Sequence, residues 1–525
     1  MRKKLKVLSA MLSLAAAAGL ASCSEKTTGG MGADNRITWW IANNAAPVVK
    51  SYDEIKAVKV VEDKFDVDIE FIHPSKEQET EQFNIMAASG DFADIVSYNW
   101  NGYTGGPVKA VQDGAIIALD DYVKTDMPNF SKLMNESAIM NYIARGYDGT
   151  ICVLPTVTDD VVTQAIFGPQ IRKDWLDKLG LEVPKSIEDW YNVLTAFKTQ
   201  DPNGNGVADE IPFVADGTAT FLRFSRAFGG VSDEFYVDGN GNIKFGFIEQ
   251  EYKDFLKEIN KWYKEGLIDS EYAAANSSMI DSKMITDIGG AYIGYAGGGM
   301  GKYIAASRQE NPNYSLVGTP WPTHGDGAAY SGYPYQLEPG LPGRGMAISA
   351  KAKNVKKCLQ VIDYLYGDEG SILMNWGIEG ESYDKTDEGM KFRDSILHNT
   401  EGKSPVEAIS AYAPTQYPIV MMRSDAFMQL NSAFPEQENA MKVWGEADLT
   451  RIMPTLTISQ EEQSEITKVM DDIYTYRQEW VNKLVMGIEP LEKWDEVTEK
   501  IRSMGIDKAI AVYQAAYDEY VSQSR

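Results

Sequence analysis

From its first ordered pattern onward, the chain alternates short apolar runs with helical spacing. Ile37-Thr38-Trp39-Trp40-Ile41 is apolar and β-prone, and it gives way to polar Asn43 and Asn44, a first strand and its loop. Ile55 to Phe65 carries helical spacing, and Val67 to Ile72 alternates as a second strand. Glu79 to Ala88 predicts a helix ended by Gly90. Asp94 to Tyr98 predicts a third strand that opens onto Asn99-Trp100-Asn101-Gly102-Tyr103. Strands alternating with helices argue for an α/β fold with a mostly parallel sheet. Ligands of such sheets bind beyond the carboxyl ends of the strands, which puts Trp40, Asn43, Trp100 and Tyr103 at the expected edge. A chain of 525 residues exceeds what one core can bury, so two or more domains are expected.

The N-terminus has a different pattern. Arg2, Lys3, Lys4 and Lys6 precede an apolar or small run from Val7 to Leu20, broken only by Ser9, Ser13 and Gly19. This is a charged region followed by an apolar stretch too short for a comfortable membrane span. It ends in Leu20-Ala21-Ser22-Cys23, which resembles the lipobox of bacterial lipoproteins. The resemblance implies a signal peptide over residues 1–22 and diacylglycerol on the sulfur of Cys23. The alternative is an ordinary secretory signal that contains a cysteine. Two or more acyl chains suffice for stable anchoring, so the expected location is the extracytoplasmic face of the bacterial cell membrane. Residues 23–35 are polar and Gly-rich and read as a flexible tether.

Several later segments resemble the family 1 extracellular solute-binding proteins of ABC importers. Gly90-Asp91-Phe92-Ala93-Asp94-Ile95-Val96 is similar to their GDxPDI segment. Asp148 to Pro155 is similar to their first inter-lobe strand, and Ile171 to Leu181 with Val183 to Ser186 to the helix that opens the second lobe. Tyr263 to Asp269, Trp376 to Tyr383, Trp494 and Ala515 to Tyr520 follow in the family's order. Nearest by pattern are the large LplA-type lipoproteins and the alginate-oligosaccharide-binding proteins. The resemblance implies a two-lobed, periplasmic-binding-protein-like (Venus-flytrap) α/β fold with hinge strands between the lobes. It implies an N-terminal lobe of 36–153 and 297–365 and a C-terminal lobe of 154–296 and 366–525. It also implies a monomer that captures a sugar or oligosaccharide by hinge closure and delivers it to the importer's permease subunits.

One segment suggests a metal. Asp201-Pro202-Asn203-Gly204-Asn205-Gly206-Val207-Ala208-Asp209-Glu210 places side-chain oxygens at loop positions 1, 3, 5, 9 and 10, a glycine at 6 and the Val207 carbonyl at 7. An EF-hand loop wraps Ca²⁺ in this way. Pro212 stands where that loop has its bidentate glutamate, and Glu210 can take the role. Similarity to the alginate-binding proteins supports a structural calcium; the alternative is a polar Asn-Gly turn with no ion. Asp238 to Asn242 looks alike but lies between Phe235-Tyr236-Val237 and Ile243-Lys244-Phe245, which predicts a β-hairpin.

Aromatic content argues for sugar. The chain has 11 Trp and 28 Tyr, and pyranose C–H faces stack on flat rings while hydroxyls need polar partners. Trp100, Tyr103, Tyr295, Trp321, Tyr333, Tyr335 and Trp376 sit in Gly-, Pro- or Asn-rich stretches and are the candidate stacking residues. Trp175, Trp190 and Trp262 lie on predicted helices and read as core; Trp39 can face either way. Asn43, Asn101, Arg172, Arg344 and Glu379 are the candidate polar partners, the two arginines as forks for uronate carboxylates or else as structural ion pairs.

Charge and composition narrow the alternatives. The formal charge of −26 becomes −30 once residues 1–22, with four basic groups and no acids, are removed, which excludes nucleic acid as a natural partner. Cys152 and Cys358 lie in apolar contexts and read as buried free thiols rather than a disulfide framework. The three histidines have no metal-ligand spacing, and no nucleophile elbow, P-loop or dinucleotide fingerprint appears in its proper context. An enzyme is therefore not expected. Two other classes remain open: a secreted polysaccharide-degrading enzyme, and a surface protein that binds polysaccharide without transport.

Overall fold

The computed structural model describes residues 35–44, 49–75, 78–160, 165–333, 339–398, 403, 405–414 and 419–523. Its strands, in chain order, are β1 (Arg36–Trp40), β2 (Asp68–Ile72), β3 (Ile95–Asn99), β4 (Leu154–Thr158), β5 (Phe167–Arg172), β6 (Ile211–Phe213) and β7 (Phe235–Val237), then β8 (Ile243–Phe245), β9 (Gly289–Tyr295), β10 (Leu316–Gly318), β11 (Gly340–Ile348), β12 (Tyr383–Thr386), β13 (Gly389–Phe392) and β14 (Met421–Met422). The helices Lys56–Phe65 and Glu79–Ser89 form where their spacing predicts, ended by Asp66 and Gly90 in the left-handed conformation. The Phe235–Val237 and Ile243–Phe245 runs pair as the predicted antiparallel hairpin.

The strands build two main sheets, one per lobe, and two two-stranded ribbons, β7-β8 and β12-β13. The first has the order β14-β4-β11-β3-β1-β2 and the second β10-β5-β9-β6. β1 is parallel to both β2 and β3, as the alternating pattern predicts, but β11 runs antiparallel to β3 and to β4. The antiparallel strand is the one that returns from the other lobe. In the second sheet β5 is antiparallel to β9 and β10, and β6 is parallel to β9.

The crossing points differ from those expected. β4 belongs to the first sheet, so the chain leaves the first lobe after Thr158 rather than at Leu154. Residues 297–333 stay with the second lobe: β10 pairs with β5, and Met300, Tyr303 and Ile304 bury against Tyr292 and Met284. The return to the first lobe is therefore β11, not the stretch from Gly297. Helices Val355–Tyr366 and Asp368–Trp376 remain with the first lobe, where Cys358, Ile362, Leu365 and Met374 share its core. The chain crosses for the last time between helices Ser424–Asn431 and Pro435–Gly445, not at Tyr366; the latter helix packs on β10 and β5. In each case burial of an apolar face, which the linear order does not display, sets the boundary.

Each lobe has its own core. The first gathers Trp39, Ile55, Val58, Ile95, Met346 and Ile348; the second gathers Ile171, Trp175, Trp190, Phe197, Phe213 and Trp262. Trp175, Trp190 and Trp262 are core, as their helices predict. Trp39 is buried as well, and its indole N–H donates to Ser97 Oγ at 2.8 Å. Cys152 and Cys358 are buried free thiols, both pushed up to about 12 chiefly by burial. The C-terminal helix Ile506–Gln523 lies on β8 and reaches the first lobe, where Tyr520 meets Tyr142 edge-on at 5.2 Å. No helix among the described residues is long and apolar enough to cross a membrane. Residues 1–34, with Cys23, and Tyr335 lie outside the described residues.

Candidate functional site

A cleft of about 760 Å³ separates the two lobes, within the size range of ligand sites that bury a small molecule. Its first wall is built from strand ends. Ile41, Ala42 and Asn44 follow β1, and Tyr98 and Asn99 close β3, so the carboxyl edge of the sheet does face the cleft. Thr156 and Thr158 of β4 and Arg344 of β11 form its floor beside the crossings. Glu79, Phe427 and Asn431 come from helices of the same lobe.

The second lobe contributes a compact aromatic wall. β5 and β9 are paired so that Phe167 lies opposite Tyr295. The two rings meet edge-on at 4.8 Å, and Phe167 stacks on Tyr333 at 5.0 Å. Tyr295 and Tyr333 face the cleft, Tyr295 with 48% of its surface exposed. Behind them Arg223 packs its guanidinium on the Phe167 and Tyr333 rings and donates to the Gly332 carbonyl at 2.9 Å. Burial lowers the Arg223 pKa from the usual arginine value. The platform is thus held from beneath by a half-buried cation.

Of the sequence-predicted ligand residues, the structure brings Tyr295, Tyr333 and Arg344 to the cleft. Others are used elsewhere. Trp40 is buried between Phe83 and Tyr98. The short turn after β3 folds Trp100 inward, where its indole N–H donates to the Val96 carbonyl at 3.3 Å. Asn43 donates its amide to the Val49 carbonyl, and Asn101 donates to that of Pro342. Tyr103 lies beside Trp100 and donates to Asp113. Trp321 is buried beneath Gly332, and Trp376 stacks on Phe392 at 4.4 Å in a small core of the first lobe. Glu379 pairs with Lys385 at 2.8 Å on the surface.

Arg172 is the clearest correction. It is fully buried, paired with Asp174 at 2.6 Å and Asp287 at 2.5 Å, and stacked between Trp175 and Tyr314. Burial alone would lower its pKa, but the two carboxylates outweigh burial and raise it. This is the structural ion pair, not a ligand fork. Sequence reasoning missed Asn44, Asn99, Asn431, Thr156 and Thr158, because it favoured conspicuous tryptophans over modest side chains at strand ends.

The 201–210 loop joins helix Ile187–Thr199 to β6. Asp201 and Gly206 both adopt positive φ, and the Asp201 carboxylate accepts from the Gly204 and Gly206 N–H groups at 3.0 and 3.1 Å. The Asn203 and Asn205 amides donate to Asp209, and Asn203 also donates to the Asp287 carbonyl. The Val207 N–H donates to Asn205 Oδ1 at 2.6 Å. Glu210 is buried, and its Oε1 has no hydrogen-bond partner. Burial, with Asp201 and Asp209 nearby, raises its carboxyl pKa. No group of three His, Cys, Asp or Glu side chains among the described residues is gathered tightly enough to hold a metal by itself. The donor set fits a hard cation only with amide and carbonyl oxygens included, and the orphaned Glu210 oxygen is the observation that favours one.

Comparison with known proteins agrees with this geometry. The family profile described as bacterial extracellular solute-binding protein matches residues 54–372. The fructooligosaccharide ABC transporter substrate-binding protein FusA of Streptococcus pneumoniae is 26% identical over 472 residues, covering 84% of this chain and 82% of that protein. Lipoprotein LipO of Bacillus subtilis is 24% identical over 400 residues, 74% of this chain and 76% of that one. Among solved structures, FusA in complex with kestose superposes with a TM-score of 0.71 at 23% identity, covering 93% of this chain and 99% of that one. A FusA EF-hand mutant in complex with fructo-nystose gives 0.71 at 22% identity over the same shares. The alginate-binding protein AlgQ2 without calcium ion gives 0.69 at 25%, over 92% of this chain and 98% of that one. With the fold, the cleft and the profile in agreement, the chain belongs to the bacterial extracellular solute-binding protein family.

Proposed function

We propose that this protein is the ligand-capturing component of an ABC importer and that its cargo is a sugar or oligosaccharide. The observation that carries the reading is the cleft, with Tyr295 and Tyr333 as a stacking wall facing Asn44, Asn99, Thr156 and Thr158. Apolar ring faces meet the aromatic wall, and hydroxyls meet the amide and hydroxyl groups opposite. Closing the lobes buries both faces of the sugar at once, and the permease then receives it. FusA, whose name gives a fructooligosaccharide cargo, supports the class. The family and its relatives are binding proteins, which supports release of the bound sugar unchanged.

Two finer parts belong to the same reading. Cys23 is the lipid-bearing residue after a signal peptide over 1–22, with 23–35 as tether; the likeness to LipO, a lipoprotein by name, supports it. The 201–210 loop holds a structural Ca²⁺ through Asp201, Asn203, Asn205, Asp209, Glu210 and the Val207 carbonyl, and the FusA EF-hand mutant supports that. The ion's two positive charges offset most of the charge of Glu210, Asp201 and Asp209.

Thermal unfolding against neutral and acidic oligosaccharides, with and without a chelator, tests the proposal. A ligand that binds only the folded state at 100 times its dissociation constant adds about 2.7 kcal/mol. A shift with one sugar class, with that sugar intact afterwards, supports the binding protein. Peptides that shift the melt while sugars do not would refute the sugar assignment, and sugar consumed over time would identify an enzyme.

A further inference from the structure

We infer that the cargo carries a carboxylate and that Arg344 is the residue that reads it. The inference rests on the saccharide reading of the cleft. Among the described residues, every other arginine is engaged: Arg172 with Asp174 and Asp287, Arg223 with the Gly332 carbonyl, Arg477 with Asp233, Arg423 with Asp425. The remaining described arginines likewise hold carboxylates, carbonyls or a tyrosine hydroxyl. Arg344 has no such contact, and it opens into the 760 Å³ cleft. A guanidinium with five donors and no protein acceptor, on the wall of a ligand-sized cavity, is a vacant anion fork.

The backbone around it is fixed. Arg344 lies opposite Asn99 in the β11–β3 pairing. A Cβ on Gly343 would meet the Asn101 amide at 2.5 Å, and one on Gly345 would meet the Leu154 carbonyl oxygen at 2.0 Å. The arginine is therefore presented from β11, paired to β3 and just before the point where the register with β4 resumes at Gly345, not from a loose loop, and such placement favours specific recognition.

Its surroundings set the class of anion. Among the described residues, Arg344 and Glu79 are the charged groups lining the cleft, and no ion pair joins the two. A sugar acid offers a carboxylate to Arg344 and hydroxyls to Asn44, Asn99 and Thr156 of the same lobe. The two coplanar oxygens of a carboxylate match the guanidinium fork in a bidentate pair. The Tyr295–Tyr333 wall of the other lobe takes the ring face. In a chain of net charge −26, the local cation is what admits an acidic cargo.

The test is calorimetric titration of the full chain, in detergent, with oligogalacturonates and oligomannuronates, their methyl esters, neutral gluco-oligosaccharides of equal length, and sulfated disaccharides. The expected result is that a free uronate binds at least about tenfold more tightly than its methyl ester, from a charge-assisted hydrogen-bonded pair. Arg344→Gln abolishes that difference, Arg344→Lys keeps part of it, and neither changes the melting temperature without ligand. Equal binding of acid and ester, or an equal loss for both in Arg344→Gln, overturns the inference and leaves the saccharide reading standing. Preference for the sulfated sugars overturns the carboxylate assignment. Binding of no saccharide at all overturns the inference and the saccharide reading together.

Discussion

Two arginines nominated by the same sequence reasoning end in opposite environments. Arg172 closes the far end of β5, buried with Asp174 and Asp287 on the side of the lobe that holds the 201–210 loop. Arg344 stands on the cleft wall with no side-chain partner among the described residues. The first is committed to stability, because a charge removed from water must be paid for by neighbours that cannot then do anything else. The second is idle in the free protein and available to a ligand. The same contrast holds along β5 and β9: one end carries Arg172 and the turn at Asp287, the other carries Phe167 and Tyr295.

The comparison is sharpened most by Arg172→Met. Breaking the buried pair leaves two carboxylates without their cation and is expected to cost about 3–5 kcal/mol in urea unfolding. A cost near zero would mean that the network does not anchor the second lobe. Chelation of calcium comes next. At 100 times its dissociation constant the ion contributes about 2.7 kcal/mol, and its removal should lower the melting temperature. No change on adding chelator or calcium would refute the metal site.

Glu210 gives that prediction a sign. Without a cation its folded pKa is raised, so the stability tied to its proton is present below the usual carboxylate range and lost as pH rises through the raised value. Glu210→Gln should therefore stabilise the protein at neutral pH in chelator and weaken calcium's effect. A loss of stability in chelator would contradict this account.

Gly345→Ala follows, at about 1–3 kcal/mol, because its Cβ must displace the Leu154 carbonyl that β4 presents to β11. Ser→Ala changes on exposed helices are the reference for its melt. The smallest effect is Arg344→Ala on stability, within about 0.5 kcal/mol. A larger loss would show that Arg344 is structural after all, and the contrast with Arg172 would collapse.

Local signals read well. The helices at 56–65 and 79–89, the strands around Ile37, Ile69 and Val96, and the Asp238–Asn242 hairpin all follow from periodicity and turn chemistry. The choice among aromatics did not. Trp100, Trp321 and Trp376 look exposed because Gly, Asn and Pro surround them, yet each is buried, whereas Tyr295 and Tyr333 in similar contexts face the cleft. A flexible neighbourhood lets a ring turn either way, and a large indole gains more from a core than a tyrosine, which can keep its hydroxyl wet.

By itself, then, the sequence determined the alternation of strands and helices, the hairpin, the pairing of acidic and amide side chains in the 201–210 loop and the family likeness. Those are encoded in residues close together along the chain. Which segments share a lobe, where the chain crosses, and which arginine is left free were decided only by the tertiary structure. Each depends on contacts between residues more than a hundred positions apart, such as Arg172 with Asp287 and β4 with β11, and burial there selects among side chains that look equivalent in one dimension.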